Sequence, residues 1–170
     1  MATTYEAIAT VTVGSGGASE IEFTSISSAY TDLSLKLSTR CATDDFPNIR
    51  IRFNGVTTSY SHRIVYGSGS AAGSYSGTNN GIDYASDDAA AQTANTFSNC
   101  EIYIPNYAGS TNKSLSADAV SENNATAAYA LLTAGLWSNT AAINTIRIYY
   151  GGGQNLSQYS SATLYGIKNS

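Results

Sequence analysis

The chain has 170 residues, a length that fits one domain with an ordinary hydrophobic core. Hydrophobic residues make up 42% and charged residues only 12%, about half the share of an average soluble protein, so Ser, Thr, Asn, Gly and Ala take much of the surface. A net charge of −4 speaks against a nucleic-acid partner, and no apolar run approaches the roughly twenty residues that cross a bilayer.

In chain order, MATTYEAIAT lacks a basic stretch followed by an apolar one, so no secretory signal is expected and synthesis in a cytosol is. IATVTV (8–13) and EIEFTSI (20–26) read as an opening pair of strands. In DLSLKLS, Leu33, Leu35 and Leu37 alternate with Ser34, Lys36 and Ser38. In NIRIRFNGV, Ile49, Ile51 and Phe53 are expected inward and Arg50 and Arg52 outward. This period of two marks half-buried antiparallel strands. Asn54-Gly55 then supplies two residues that tolerate positive φ, as a tight hairpin turn requires.

Residues 67–96 break the rhythm and read as one long polar, Gly-rich loop, divided at most by a short strand near Gly81–Tyr84. Loops of that length are usually functional or disordered. EIYIP, KSLSADAV, AYALLTAGLW, NTIRIYY and SATLYGI follow as further strands. Asn124–Leu132 could also be helical by propensity, but the apolar run continues through TAGLW, which favours a strand. Eight to ten short strands without a helical stripe predict a single all-β domain, an antiparallel β-sandwich or barrel. Its core is expected to hold Leu33, Leu35, Leu37, Ile49, Ile51, Phe53, Ile102, Ile104, Ile146, Ile148 and Trp137.

The inventory for chemistry is thin. His62 is the single histidine; its neighbour Ser61 points to the other face of a strand and cannot easily be its nucleophile. Asp44-Asp45 and Asp83/Asp87/Asp88 cluster in expected loops, where carboxylates are usually solvated, and DYASDD lacks the ligand spacing of a helix–loop–helix calcium site. Neither GSGS nor Gly151–Gly153 opens a helix with the lysine of a phosphate-binding loop. Cys41 and Cys100 are the only cysteines, equally readable as a pair or as buried thiols. Asn112, Asn124 and Asn155 begin Asn-x-Ser/Thr triplets, which a chain this rich in those residues contains by chance. Tyr103, Tyr107, Tyr149, Tyr150, Tyr159 and Tyr165 fit packing, an interface or a carbohydrate site. No catalytic residue, metal site or cofactor is expected.

YTDLSLKL (30–37), IRIRFNG (49–55), FSNCEIYIPNYAGSTNKS (97–114), GLWSNTAAINTIRI (135–148) and SSATLYGI (160–167) follow one another in this order. Together they resemble a group of small virion proteins of tailed bacteriophages, including those of cyanobacteria. The resemblance spans nearly the whole chain and is weakest across 67–96. It implies a β-sandwich of jelly-roll type in the virion, assembled in the host cytoplasm. Its implied role is head decoration or cement, as a homo-oligomer, a trimer, on the major capsid protein. It implies no enzyme activity. The alternative it leaves is a tail or fibre component that binds a host surface glycan. Loop 67–96 and the tails Met1–Tyr5 and Lys168–Ser170 are the expected contact elements.

Overall fold

The computed structural model describes residues 4–43, 47–122 and 128–168. Its strands are β1 (Tyr5–Thr12), β2 (Glu20–Phe23), β3 (Asp32–Thr39), β4 (Asn48–Phe53), β5 (Tyr60–Gly67) and β6 (Ala72–Gly77). They continue with β7 (Ile82–Ser86), β8 (Ser98–Ile104), β9 (Lys113–Glu122), β10 (Ala128–Trp137), β11 (Ile146–Tyr150) and β12 (Ser161–Ile167). No helix occurs among the described residues.

One sheet has eight strands in the order β1-β12-β3-β8-β9-β10-β5-β6, the other four in the order β2-β11-β4-β7. Every pairing is antiparallel. Set aside the hairpins β5–β6 and β9–β10, and β1-β12-β3-β8 faces β2-β11-β4-β7. The first strand lies beside the last in one sheet, and the second beside the next-to-last in the other. That interleaving is a jelly roll. The two hairpins both join the β8 side of the large sheet, so it extends beyond the smaller one.

The alternation in the sequence places the core between the sheets. All ten of the Leu, Ile and Phe positions expected inward are at most 4% exposed. Trp137 is fully buried, with its ring 5.6 Å from that of Phe53 and stacked 5.9 Å from that of Tyr60. Strand β7 packs against β5, β9 and β10 of the large sheet. Its close approach depends on Gly135, where a Cβ would lie 2.8 Å from the Ile82 side chain. The Thr133 hydroxyl donates to the Tyr84 carbonyl across the same contact, at 3.0 Å.

Several sequence expectations change. The segments at 8–13 and 20–26 do not pair with each other: β1 joins β12 and β2 joins β11, because a jelly roll sends consecutive strands to opposite sheets. Asn54 and Gly55 do form the tight turn, with φ of 51° and 68° and Val56 N–H donating to Phe53 C=O. Yet β4 and β5 on its two sides belong to different sheets. Stretch 67–96 contains β7 where a short strand was expected, and in addition β6, so it is not one loop. Arg52 is only 8% exposed, because Asn80 and Tyr149 close over that face of β4. Asp83, Asp87 and Asp88, expected in solvent, are at most 2% exposed. Asp44, Asp45, Asn124 and the outermost residues of both tails lie outside the described residues, as does the start of the helical alternative at 124–132.

Candidate functional site

The eight-stranded sheet turns a broad face to solvent, and its register defines what that face displays. One row across it reads Ser74, Val65, Leu132, Asp118, Glu101, Lys36, Thr163 and Thr10, from β6 to β1. The row on one side reads Ala72, Gly67, Ala130, Val120, Asn99, Ser38, Ser161 and Thr12. On the other side Arg63, Ala134, Ser116, Tyr103, Ser34 and Tyr165 continue the pattern. Within these three rows charge is confined to Arg63 and to the central group Lys36, Glu101 and Asp118. Glu101 and Asp118 sit directly opposite one another, a repulsive cross-strand pair that Lys36 offsets through its ion pair with Glu101. Around the two carboxylates lies a shallow depression of about 470 Å³, edged by Tyr103 and Leu132. Val65, Val120, Leu132 and Leu136 are all more than a third exposed on this face, Leu132 most of all at 57%.

Most cations of the chain have partners within it, some at the surface and some buried. Lys36, Lys168, Arg147 and Arg50 pair with Glu101, Glu6, Glu20 and Asp83. Arg40 donates to the carbonyls of Gln92, Thr93 and Thr96 and so fastens the segment after β7 to the end of β3. Lys113, 1% exposed, donates to the carbonyls of Gly109 and Thr111 and closes the β8–β9 turn. Burial lowers its pKa, since desolvation penalises the ammonium. Arg52 donates to Asn80 C=O at 2.7 Å and to the Tyr149 hydroxyl at 2.6 Å, with its guanidinium 4.5 Å from the Tyr149 ring centre.

His62 is 2% exposed, and its Nε2 lies 3.8 Å from an Asp83 oxygen that also accepts from Asn79. Arg50 holds the other Asp83 oxygen. Burial lowers the His62 pKa, Asp83 opposes that, and Arg50 and Arg63 add to it. Ser61 lies on the opposite face of β5, so the two residues form no nucleophile–base pair. Asp87 accepts from the Tyr150 hydroxyl and the Asp88 N–H. Burial raises its pKa against hydrogen bonds that favour the anion. Both are internal tethers, binding β7 and the segment after it to the rest of the sandwich. Cys41 and Cys100 are buried free thiols, and burial pushes the Cys100 thiol well up.

Of the tyrosines singled out in the sequence, Tyr107, Tyr149 and Tyr150 are buried, while Tyr103 and Tyr159 are exposed. The structure brings a different set together: Tyr66, Tyr75 and Tyr129, around a cleft at the overhanging end of the large sheet. The sequence signal for it was tyrosine at inward strand positions where the rest of the core has Leu or Ile. Among the described residues no group of three or more His, Cys, Asp or Glu side chains is placed to hold a metal. No protein-family model matches the chain, and no curated protein does either.

Proposed function

We propose that this chain is a structural protein of a tailed-phage virion. It decorates the head, docked on the major capsid protein as a homotrimer. The observation that carries this reading is the outer face of the eight-stranded sheet. With strands about 4.8 Å apart and residues about 3.3 Å apart, eight strands by six residues span roughly 34 Å by 20 Å. That approaches the ~800 Å² per partner of a standard specific interface. Ser, Thr, Ala and Val lose far less on desolvation than Lys or Glu, so such a face can be covered at low cost. The jelly roll behind it provides a rigid support.

The test is immunogold labelling, with antibody against the purified chain, of the particles whose genome encodes it. Dense label over the heads supports the proposal. Label confined to tail tips assigns the chain to the tail, and particles without label overturn a virion role.

A further inference from the structure

We infer that the cleft lined by Tyr66, Tyr75 and Tyr129 is a binding site for a neutral carbohydrate. The inward face of the large sheet changes character along β10: Trp137, Gly135, Thr133 and Leu131 are buried, whereas Tyr129 is half-buried. Strand β5 does the same, from buried Tyr60, His62 and Ile64 to half-buried Tyr66. The cause is the mismatch of the sheets. Strand β7, the edge of the small sheet, ends at Ser86, and the hairpin β5–β6 reaches past it. Inward positions beyond that edge have no opposing sheet, and there the sequence places tyrosine.

The result is a cleft of about 350 Å³, with Ser68 and Ser86 at its border and Leu131 at its base. Its volume falls at the small end of ligand sites, which suits a short sugar segment better than a long chain. Among the described residues no charged side chain lines it. Those residues offer a phosphate, a uronic acid or a cation no counter-ion. Aromatic rings present apolar faces, and Tyr66, Ser68 and Ser86 carry hydroxyls that both donate and accept, whereas Tyr75, its hydroxyl buried, offers only its ring. A pyranose ring offers the complement, C–H faces together with a ring of hydroxyls.

One ring is held in place by a glycine. A Cβ at Gly73 would lie 2.6 Å from the Tyr66 hydroxyl and 2.7 Å from its Cζ, so the ring rests directly over the β6 backbone. The rings of Tyr66 and Tyr75 are 6.2 Å apart and tilted at 56°, and Tyr75 in turn meets His62 edge-on at 6.2 Å. Tyrosines fixed in this way lose little entropy when a ligand stacks on them. Glycan binding at this site is independent of where the protein sits in a particle.

The experiment is an NMR titration of the full chain with glucose, galactose, mannose, N-acetylglucosamine and their disaccharides. Expected is saturable movement of the Tyr66, Tyr75 and Tyr129 resonances with at least one sugar. Tyr66→Ala or Tyr129→Ala should weaken it about tenfold, the scale of one aromatic contact. Gly73→Ala keeps every tyrosine but displaces the Tyr66 ring, so it should weaken binding too while the amide spectrum stays folded. The inference is overturned if no sugar moves these resonances. It is equally overturned if binding survives all three substitutions, or if a proline-rich peptide binds there and the sugars do not.

Discussion

The Tyr60 hydroxyl accepts the backbone N–H of Phe53 at 3.0 Å and donates to the carbonyl of the same residue at 3.2 Å. The bond spans the turn at Asn54-Gly55 and ties the last residue of β4 to the first of β5 as the chain crosses between sheets. Tyr60→Phe keeps the ring against Trp137 and removes only the hydroxyl. The Phe53 carbonyl retains Val56 N–H, but the Phe53 N–H loses this partner in the interior. Leaving such a group unpaired typically costs about 1–3 kcal/mol. Urea unfolding followed by Trp137 fluorescence should show that loss with an unchanged native spectrum; an unmoved midpoint would mean the hydroxyl contributes nothing.

His62 and Asp87 should give opposite pH dependences. Burial depresses the His62 pKa in the folded state, so its contribution is complete above the unfolded value of about 6.5 and is lost as pH falls through the lower folded value. Replacing His62 with Gln should flatten the decline in stability between pH 7 and pH 5. The neighbours that set the shift are Asp83, which opposes it, and Arg50 and Arg63, which reinforce it. An equally steep decline in the variant would place the acid sensitivity elsewhere.

Asp87 behaves in the reverse sense. Its folded pKa is raised, so the protonated form favours folding below the unfolded value of about 3.8, and that stability is lost as pH rises through the folded value. Asp87→Asn cannot ionise. Its unfolding free energy, measured by denaturant titration at a series of pH values, should lack the corresponding fall. A parallel offset of the two curves would mean that Asp87 carries no titration of its own.

The core was legible in the sequence because alternation reports which face of a strand is buried, whatever lies opposite. Leu35 is an example: it is fully buried, paired with Leu164 on one side and Ile102 on the other. Strand β6 was not legible. Its inward positions are Gly73, Tyr75 and Gly77, small where the rings of Tyr66 and His62 lie across them, so apolar alternation is missing. The burial of Arg52, Asp83 and Asp87 is not legible for a related reason. Their partners Tyr149, Arg50 and Tyr150 come from other strands, and a period along one strand carries no information about what covers it. The tyrosine cleft leaves no periodic signal in the sequence because it exists only where the larger sheet outruns the smaller one.

Leu35→Ala should cost about 2–5 kcal/mol, the range for a large-to-small change in a closed core. The two thiols supply a probe of the same interior. Neither Cys41 nor Cys100 should react with a thiol reagent such as DTNB in the native state, and both should react in guanidinium. In Leu35→Ala, native-state labelling should quicken in step with the lost stability. Rapid labelling of wild-type protein would show that one of these cysteines is accessible without global unfolding.

Docking through the outer face makes a prediction about salt and about one side chain. Leu132 is 57% exposed at the centre of β10, with Val65 beside it on β5 and Asp118 on β9. Exposed as it is, Leu132→Glu should cost no more than about 1 kcal/mol in folding stability, the scale of a like-charge cross-strand pair with Asp118. At a closed interface the same change would bury an unpaired carboxylate next to Asp118 and Glu101, a far larger penalty. Occupancy on purified particles, counted by mass spectrometry, should therefore collapse while the chain stays folded. A contact with so few charges should also resist salt, since screening weakens only exposed ion pairs. Normal occupancy of Leu132→Glu would move the contact off this face. Stripping of the wild-type protein by moderate salt would show instead that the partner meets Lys36, Glu101 and Asp118 through charge.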